Sequence, residues 1–191
     1  MLVAISGSQG TGKSTLLETL STHFPTVSRK TSRSILSDWN VTLSRVNNDH
    51  DLTIKFQEEI LKRKIEDELI FAQDPDAVFL TERTYADLFV YALVALGKDN
   101  QYSDWLDEYY VKCENAQRSY VGVFYLAGGL FAPVNDGVRA INTHYSSMVD
   151  STMEHYTKWM LGSHQRFEKI FTPHLDERVS IVLSYTSSII K

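Results

Sequence analysis

One cysteine, four prolines and no apolar run of membrane-spanning length are what this chain of 191 residues is poorest in. A lone Cys113 excludes an internal disulfide framework and a cysteine-based metal site, which points to a reducing, cytoplasmic setting. No segment approaches the roughly 18 apolar residues of a membrane helix, so no membrane partner is expected. The opening MLVAISGSQG has no basic stretch ahead of its apolar residues and reaches glycine at position 7, so neither a secretory signal nor an anchor is expected. The six histidines show no H-E-x-x-H or other clustered ligand spacing. Basic residues are outnumbered 24 to 19, and the net charge of −5 argues against a polyanionic partner.

What is present is unevenly distributed. Residues 1 to 45 carry Lys13, Arg29, Lys30, Arg33 and Arg45 against Glu18 and Asp38, a balance of +3 that leaves −8 for the rest. A segment poor in acids suits an anionic ligand. Apolar strand-like runs at Leu2 to Ser6, Thr26 to Arg29, Ala77 to Leu80, Tyr120 to Leu126 and Val179 to Leu183 alternate with helical patterns. The helical patterns include a long amphipathic stretch from Asp51 to Phe71 and another from His144 to Phe171, with Asn40 to Asp51 irregular. Continuous apolar strands separated by helices predict a parallel sheet covered on both faces. The expectation is one α/β domain over residues 1–191, with five parallel strands.

Gly7-Ser8-Gln9-Gly10-Thr11-Gly12-Lys13-Ser14 fits G-x-x-x-x-G-K-[ST] between the first strand and a helix. Glycines at these places let successive backbone N–H groups converge on phosphate oxygens. The helix behind them aims its unpaired N–H groups at the same anion. Lys13 is expected to reach the β- and γ-phosphates of ATP, Ser14 to ligate Mg²⁺, and Thr15 to support the α-phosphate. A second cluster, Thr81-Glu82-Arg83-Thr84, follows the third apolar run, and in an open parallel sheet ligands lie beyond the carboxyl ends of the strands. Glu82 is therefore expected at the metal and Arg83 at the transferring phosphoryl group. Tyr85 and Asp87 are further pocket candidates, although an acid at position 87 also suits a helix first turn.

Thr81-Glu82-Arg83-Thr84-Tyr85-Ala86-Asp87 resembles the Glu-Arg-Ser motif of deoxynucleoside kinases and the Asp-Arg motif of thymidylate kinases. Asp136-Gly137-Val138-Arg139 resembles the Asp-Gly-x-Arg of NadR-like kinases, many of them viral. The resemblance implies the P-loop kinase fold with strand order 2-3-1-4-5 and a lid around residues 131–145 that brings Arg139 over the phosphates. Where deoxynucleoside kinases place a glutamate after the second strand, this chain reads Val27-Ser28-Arg29-Lys30-Thr31-Ser32-Arg33, with no acid. Either Glu82 or Asp38 takes the acceptor proton, or the acceptor is already ionised. Arg29, Lys30 and Arg33 are the acceptor-phosphate candidates, with Phe56 and Gln57 as base contacts.

The function expected is that of an ATP-dependent kinase acting on a nucleoside or nucleotide. One alternative is a viral kinase acting on the hydroxymethyl group of 5-hydroxymethyluracil in DNA. Another is a P-loop ATPase switch without a small acceptor. A homodimer is among the assemblies left open.

Overall fold

The computed structural model describes residues 1–27, 31–71, 74, 77–131 and 142–189. Five segments contribute to its sheet: β1 (Leu2–Ser6), β2 (Thr26–Val27), β3 (Phe79–Glu82), β4 (Tyr120–Leu126) and β5 (Arg166–Ile170). Every pairing is parallel, in the spatial order β2-β3-β1-β4-β5. The second strand, expected as a short one over Thr26 to Arg29, is only two residues long, so the sheet proper is the four strands β3-β1-β4-β5. The helices are α1 (Lys13–Leu20), α2 (Thr31–Asp38), α3 (Leu43–Asn47), α4 (His50–Phe71), α5 (Tyr85–Leu96), α6 (Ser103–Gln117), α7 (Thr143–Trp159) and α8 (Leu175–Ile189).

Three stretches depart from the sequence expectation. Val179 to Leu183 is not a strand: it lies inside α8, whose buried residues Arg178, Val182, Tyr185 and Thr186 recur at helical spacing. The last strand is instead Arg166–Ile170, within the stretch expected to continue the preceding helix, which ends at Trp159. β5 is an edge strand, buried only at Ile170, so it lacks the continuous apolar run of a central strand. Its charges are paired, Arg166 with Glu168 and Lys169 with Glu154 of α7. Finally, the polar segment from Asn40 to Asp51 holds α3, capped by the Thr42 side chain, and the start of α4.

All five residues of β1 are buried, and they alternate between two cores. Leu2 and Ala4 join Phe89, Tyr109 and Tyr120 on the side of α4 to α7. Val3 and Ile5 join Leu16, Leu17 and Leu20 of α1 and Val182 of α8 on the other. Coverage of both faces buries the central strands and leaves their carboxyl ends as the open edge. In the β1–β3 register Ile5 lies opposite Glu82, and in β1–β4 Ser6 lies opposite Tyr125. The turn after β1 and the acid at the end of β3 therefore emerge side by side. Among the described residues no helix is long and apolar enough to cross a membrane.

Candidate functional site

The loop between β1 and α1 has the backbone that its glycines allow. Gly7, Gly10 and Gly12 have φ of 136°, 79° and 87°, a region that residues with a Cβ rarely enter. A Cβ at Gly7 would also sit 2.6 Å from the carbonyl oxygen of Leu126. Gly12 is the N-cap of α1, so the helix begins at Lys13 with its first N–H groups directed into the loop. Lys13 is 5% exposed, and its ammonium donates to the carbonyls of Gly7 (2.8 Å) and Ser8 (2.6 Å) and to Thr11 Oγ1 (3.3 Å). Thr11 in turn donates to the carbonyl of Ser8, which closes the loop on itself. Gln9 and Gly10 form its tip, and Ser14 and Thr15 are exposed on the first turn of α1.

Glu82 meets this loop directly. Ser14 Oγ donates to Glu82 Oε1 at 3.1 Å, joining residues 68 positions apart in the chain. A hydroxyl and a carboxylate at this separation are a hard-oxygen pair of the kind Mg²⁺ accepts, its remaining ligands coming from phosphate and water. Among the described residues no group of three or more His, Cys, Asp or Glu side chains is gathered to hold a metal ion.

The next residue, Arg83, has φ 68°, and its N–H extends the sheet by donating to the carbonyl of Ile5. Its guanidinium lies over the Tyr91 ring (5.0 Å), donates to the Tyr91 hydroxyl (3.2 Å) and approaches Asp87 Oδ2 at 3.9 Å. Burial opposes its charge, but Tyr91, Asp87 and Glu82 outweigh that and raise its pKa above the ordinary arginine value. Asp87 is fully buried in the first turn of α5, where it accepts from Ser6 Oγ (2.6 Å) and Thr84 Oγ1 (2.7 Å). It braces the ends of β1 and β3 and orients Arg83.

Behind Glu82 lies a buried polar network that the sequence analysis missed. Glu68 of α4 accepts from Lys64 Nζ, Thr81 Oγ1 and the Tyr85 hydroxyl, each at 2.7 Å, and from the Tyr120 hydroxyl at 3.1 Å. Lys64 also donates to Thr81 Oγ1 (3.0 Å) and to the carbonyl of Glu82 (3.1 Å), so α4 holds the backbone of the strand end. Tyr85 is thus a core residue, stacked on Tyr120, and not a pocket residue as entertained from sequence. An i, i+4 Lys-Glu pair carries no signal that separates it from an ordinary surface pair.

The acceptor candidates are less unified. Arg29, Lys30 and Arg139, with most of the expected lid, lie outside the described residues. Arg33 is exposed on α2. Phe56 packs in the core, edge-on to Trp39, so its ring is taken up by helix packing. Gln57 is 7% exposed, and its Oε1 is buried without a hydrogen-bond partner among the described residues. Asp38 is engaged by Arg63 Nη1 at 2.7 Å, which ties α2 to α4 and disfavours it as a proton acceptor. An open cavity of about 580 Å³ between Trp39, Val41, Leu52 and the outer face of α4 includes none of the loop or strand-end residues.

Arg178 was also missed. This buried arginine of α8 donates through Nη1 to the carbonyl of Thr11 in the loop, 167 positions away. Helix charges of this sort are indistinguishable in sequence from solvated ones.

Comparison with known proteins places these features in context. The AAA domain family, AAA_28, matches residues 2–160. No curated protein sequence matches the chain. Among solved structures, deoxyadenosine kinase from M. mycoides with the products dCMP and dCDP superposes with a TM-score of 0.74 at 13% identity, covering 98% of this chain and 100% of that one. NadR protein in complex with NAD and AMP-PNP gives a TM-score of 0.69 at 13% identity, covering 97% of this chain and 49% of that one. At these identities the likeness is one of fold, and this chain spans about half the length of NadR.

Proposed function

The chain belongs to the AAA domain family, and within that family we propose that it is an ATP- and Mg²⁺-dependent kinase transferring the γ-phosphoryl group to a nucleoside- or nucleotide-type acceptor. The observation that carries this reading is the Ser14 Oγ to Glu82 Oε1 hydrogen bond at 3.1 Å, with Arg83 the next residue along. It unites the phosphate loop with an acid and a cation at one strand end, which a nucleotide-binding loop alone does not require.

Most of the work assigned to the protein is positioning and charge neutralisation. The loop N–H groups and Lys13 hold the β- and γ-phosphates, Lys13 exchanging its carbonyl partners for phosphate oxygens. Ser14 and Glu82 would hold Mg²⁺, which would supply charge neutralisation at the phosphates. Arg83, kept charged and aimed by Asp87 and Tyr91, faces the transferring group. A phosphate acceptor is already ionised and needs no base, which suits a site where Glu82 would be taken up by the metal. Gln57, whose side-chain oxygen has no hydrogen-bond partner among the described residues, is the proposed base contact.

The test is incubation with labelled ATP and Mg²⁺ against nucleosides, nucleoside monophosphates, nicotinamide riboside, and plain or hydroxymethylated DNA. Label is expected on a nucleoside or nucleotide. Transfer only to hydroxymethylated DNA would favour a DNA-modifying kinase. Release of free phosphate with every acceptor untouched would refute the kinase reading in favour of an ATPase switch.

A further inference from the structure

Arg178 is 2% exposed, yet no carboxylate pairs with it among the described residues. Its Nη1 donates to the Thr11 carbonyl at 2.6 Å and its Nε to the Thr172 carbonyl at 2.7 Å, while the guanidinium lies 5.1 Å from the Phe131 ring centre. Nη2 is buried with no hydrogen-bond partner among the described residues. Burial lowers the pKa of this arginine from its ordinary value. A buried cation satisfied by carbonyls alone is a costly arrangement, and an unpaired buried donor adds to the cost.

The contact has a geometric consequence for the loop. No peptide bond among the described residues is cis, so the Thr11–Gly12 unit is planar and trans, with its C=O and N–H pointing in opposite directions. Holding the Thr11 oxygen toward α8 turns the Gly12 N–H away from α8. Gly12 makes room for this grip, because a Cβ there would sit 3.0 Å from Nη1 and 3.7 Å from the Phe131 ring. The same glycine supplies the left-handed turn that starts α1.

We infer that Arg178 is a positioning residue of the donor site: by gripping the Thr11 carbonyl it presents the Gly12 N–H to the phosphates of a nucleoside triphosphate, and its charge beside the loop favours that anion. The inference rests on the proposed donor role of the loop. It separates α8, and the loop-facing side of Phe131, from a purely architectural role.

The experiment measures ATP and adenosine binding by calorimetry, and KM and kcat, for the wild-type chain, Arg178→Met and Arg178→Lys. The Met variant is expected to bind ATP at least about 10-fold more weakly, the order set by loss of a charge-assisted hydrogen bond. Its change falls on KM for ATP more than on kcat. Adenosine binding is little altered, and Lys, which still reaches a carbonyl, restores most of the affinity. A wild-type chain that fails to bind ATP overturns the donor reading itself. A Met variant that binds ATP like the wild type overturns only the role of Arg178. If the Met variant does not fold, the wild-type Gly12 amide resonance decides: it should shift with ATP and Mg²⁺ but not with adenosine, and an unmoved resonance in a chain that binds ATP refutes the inference.

Discussion

Replacing Glu68 by Gln keeps the shape of the side chain and removes the charge on which four donors converge. Its partner Lys64 has 9% side-chain exposure and would be left buried beside Thr81 Oγ1 and the Glu82 carbonyl, with no carboxylate paired to it among the described residues. Breaking a buried pair in this way costs about 3–5 kcal/mol. Tyr85, Tyr120 and Thr81 would then compete for a single amide oxygen, so the upper part of that range is expected. For a chain of this size, each kcal/mol lowers the melting temperature by roughly 2–4 °C, so about 4–5 kcal/mol gives a drop of roughly 8–20 °C. Urea unfolding followed by circular dichroism measures the loss directly. In a double-mutant cycle with Lys64→Met the two changes should fall short of additivity by at least about 1.5 kcal/mol. Because Lys64 also holds the Glu82 backbone, the folded variant should need more Mg²⁺ for half-maximal transfer. A Glu68→Gln chain within about 1 kcal/mol of the wild type, with additive effects in the cycle, would show that the network is solvated and the reasoning wrong.

Other perturbations address the site and the core separately. Lys13→Ala should reduce kcat/KM for transfer by at least about 100-fold while the circular dichroism spectrum is retained; activity near the wild-type level would remove the loop from the donor site. Glu82→Gln should raise the Mg²⁺ requirement roughly tenfold or more, with ATP affinity in the absence of metal little changed. Burial pushes the Cys113 thiol up to about 12 and also raises Tyr85, Tyr109 and Tyr120, so the folded chain keeps these protons to higher pH than the unfolded one. The Cys113 contribution to stability is whole below about pH 9, its unfolded range, and is lost as pH rises toward 12. Urea midpoints should therefore fall between pH 9 and 11, and a thiol reagent at pH 8 should react only after unfolding.

The phosphate loop and the Glu82-Arg83 pair were legible because their chemistry is local: glycine spacing in one case, charge at the end of an apolar strand in the other. The misplaced last strand shows where that reasoning fails. Val179-Ser180-Ile181-Val182-Leu183 is rich in β-branched residues, yet it lies in a helix that buries Val182 and Tyr185 against the sheet and Arg178 against the loop after β1. Arg166-Phe167-Glu168-Lys169-Ile170 is mostly polar and still forms a strand, because an edge position asks for one good pairing side and not a buried surface. Lys64, Glu68 and Arg178 were invisible for a related reason. Each looks like an ordinary helix charge, and its importance comes only from what the completed fold sets beside it.

The pairing of Ile5 with Glu82 also limits how this chain can vary in length. Inserting or deleting one residue within β1 or β3 would shift Glu82 and the loop after β1 relative to each other by about 3.3 Å and turn neighbouring side chains to the opposite core. Ser14 and Glu82 would then part company in the same event that disrupts the packing. Indels in these strands are thus penalised twice, so length differences among relatives should collect in the connections between elements. A sequence survey restricted to gaps would show the outline of the site without reference to which residues are conserved.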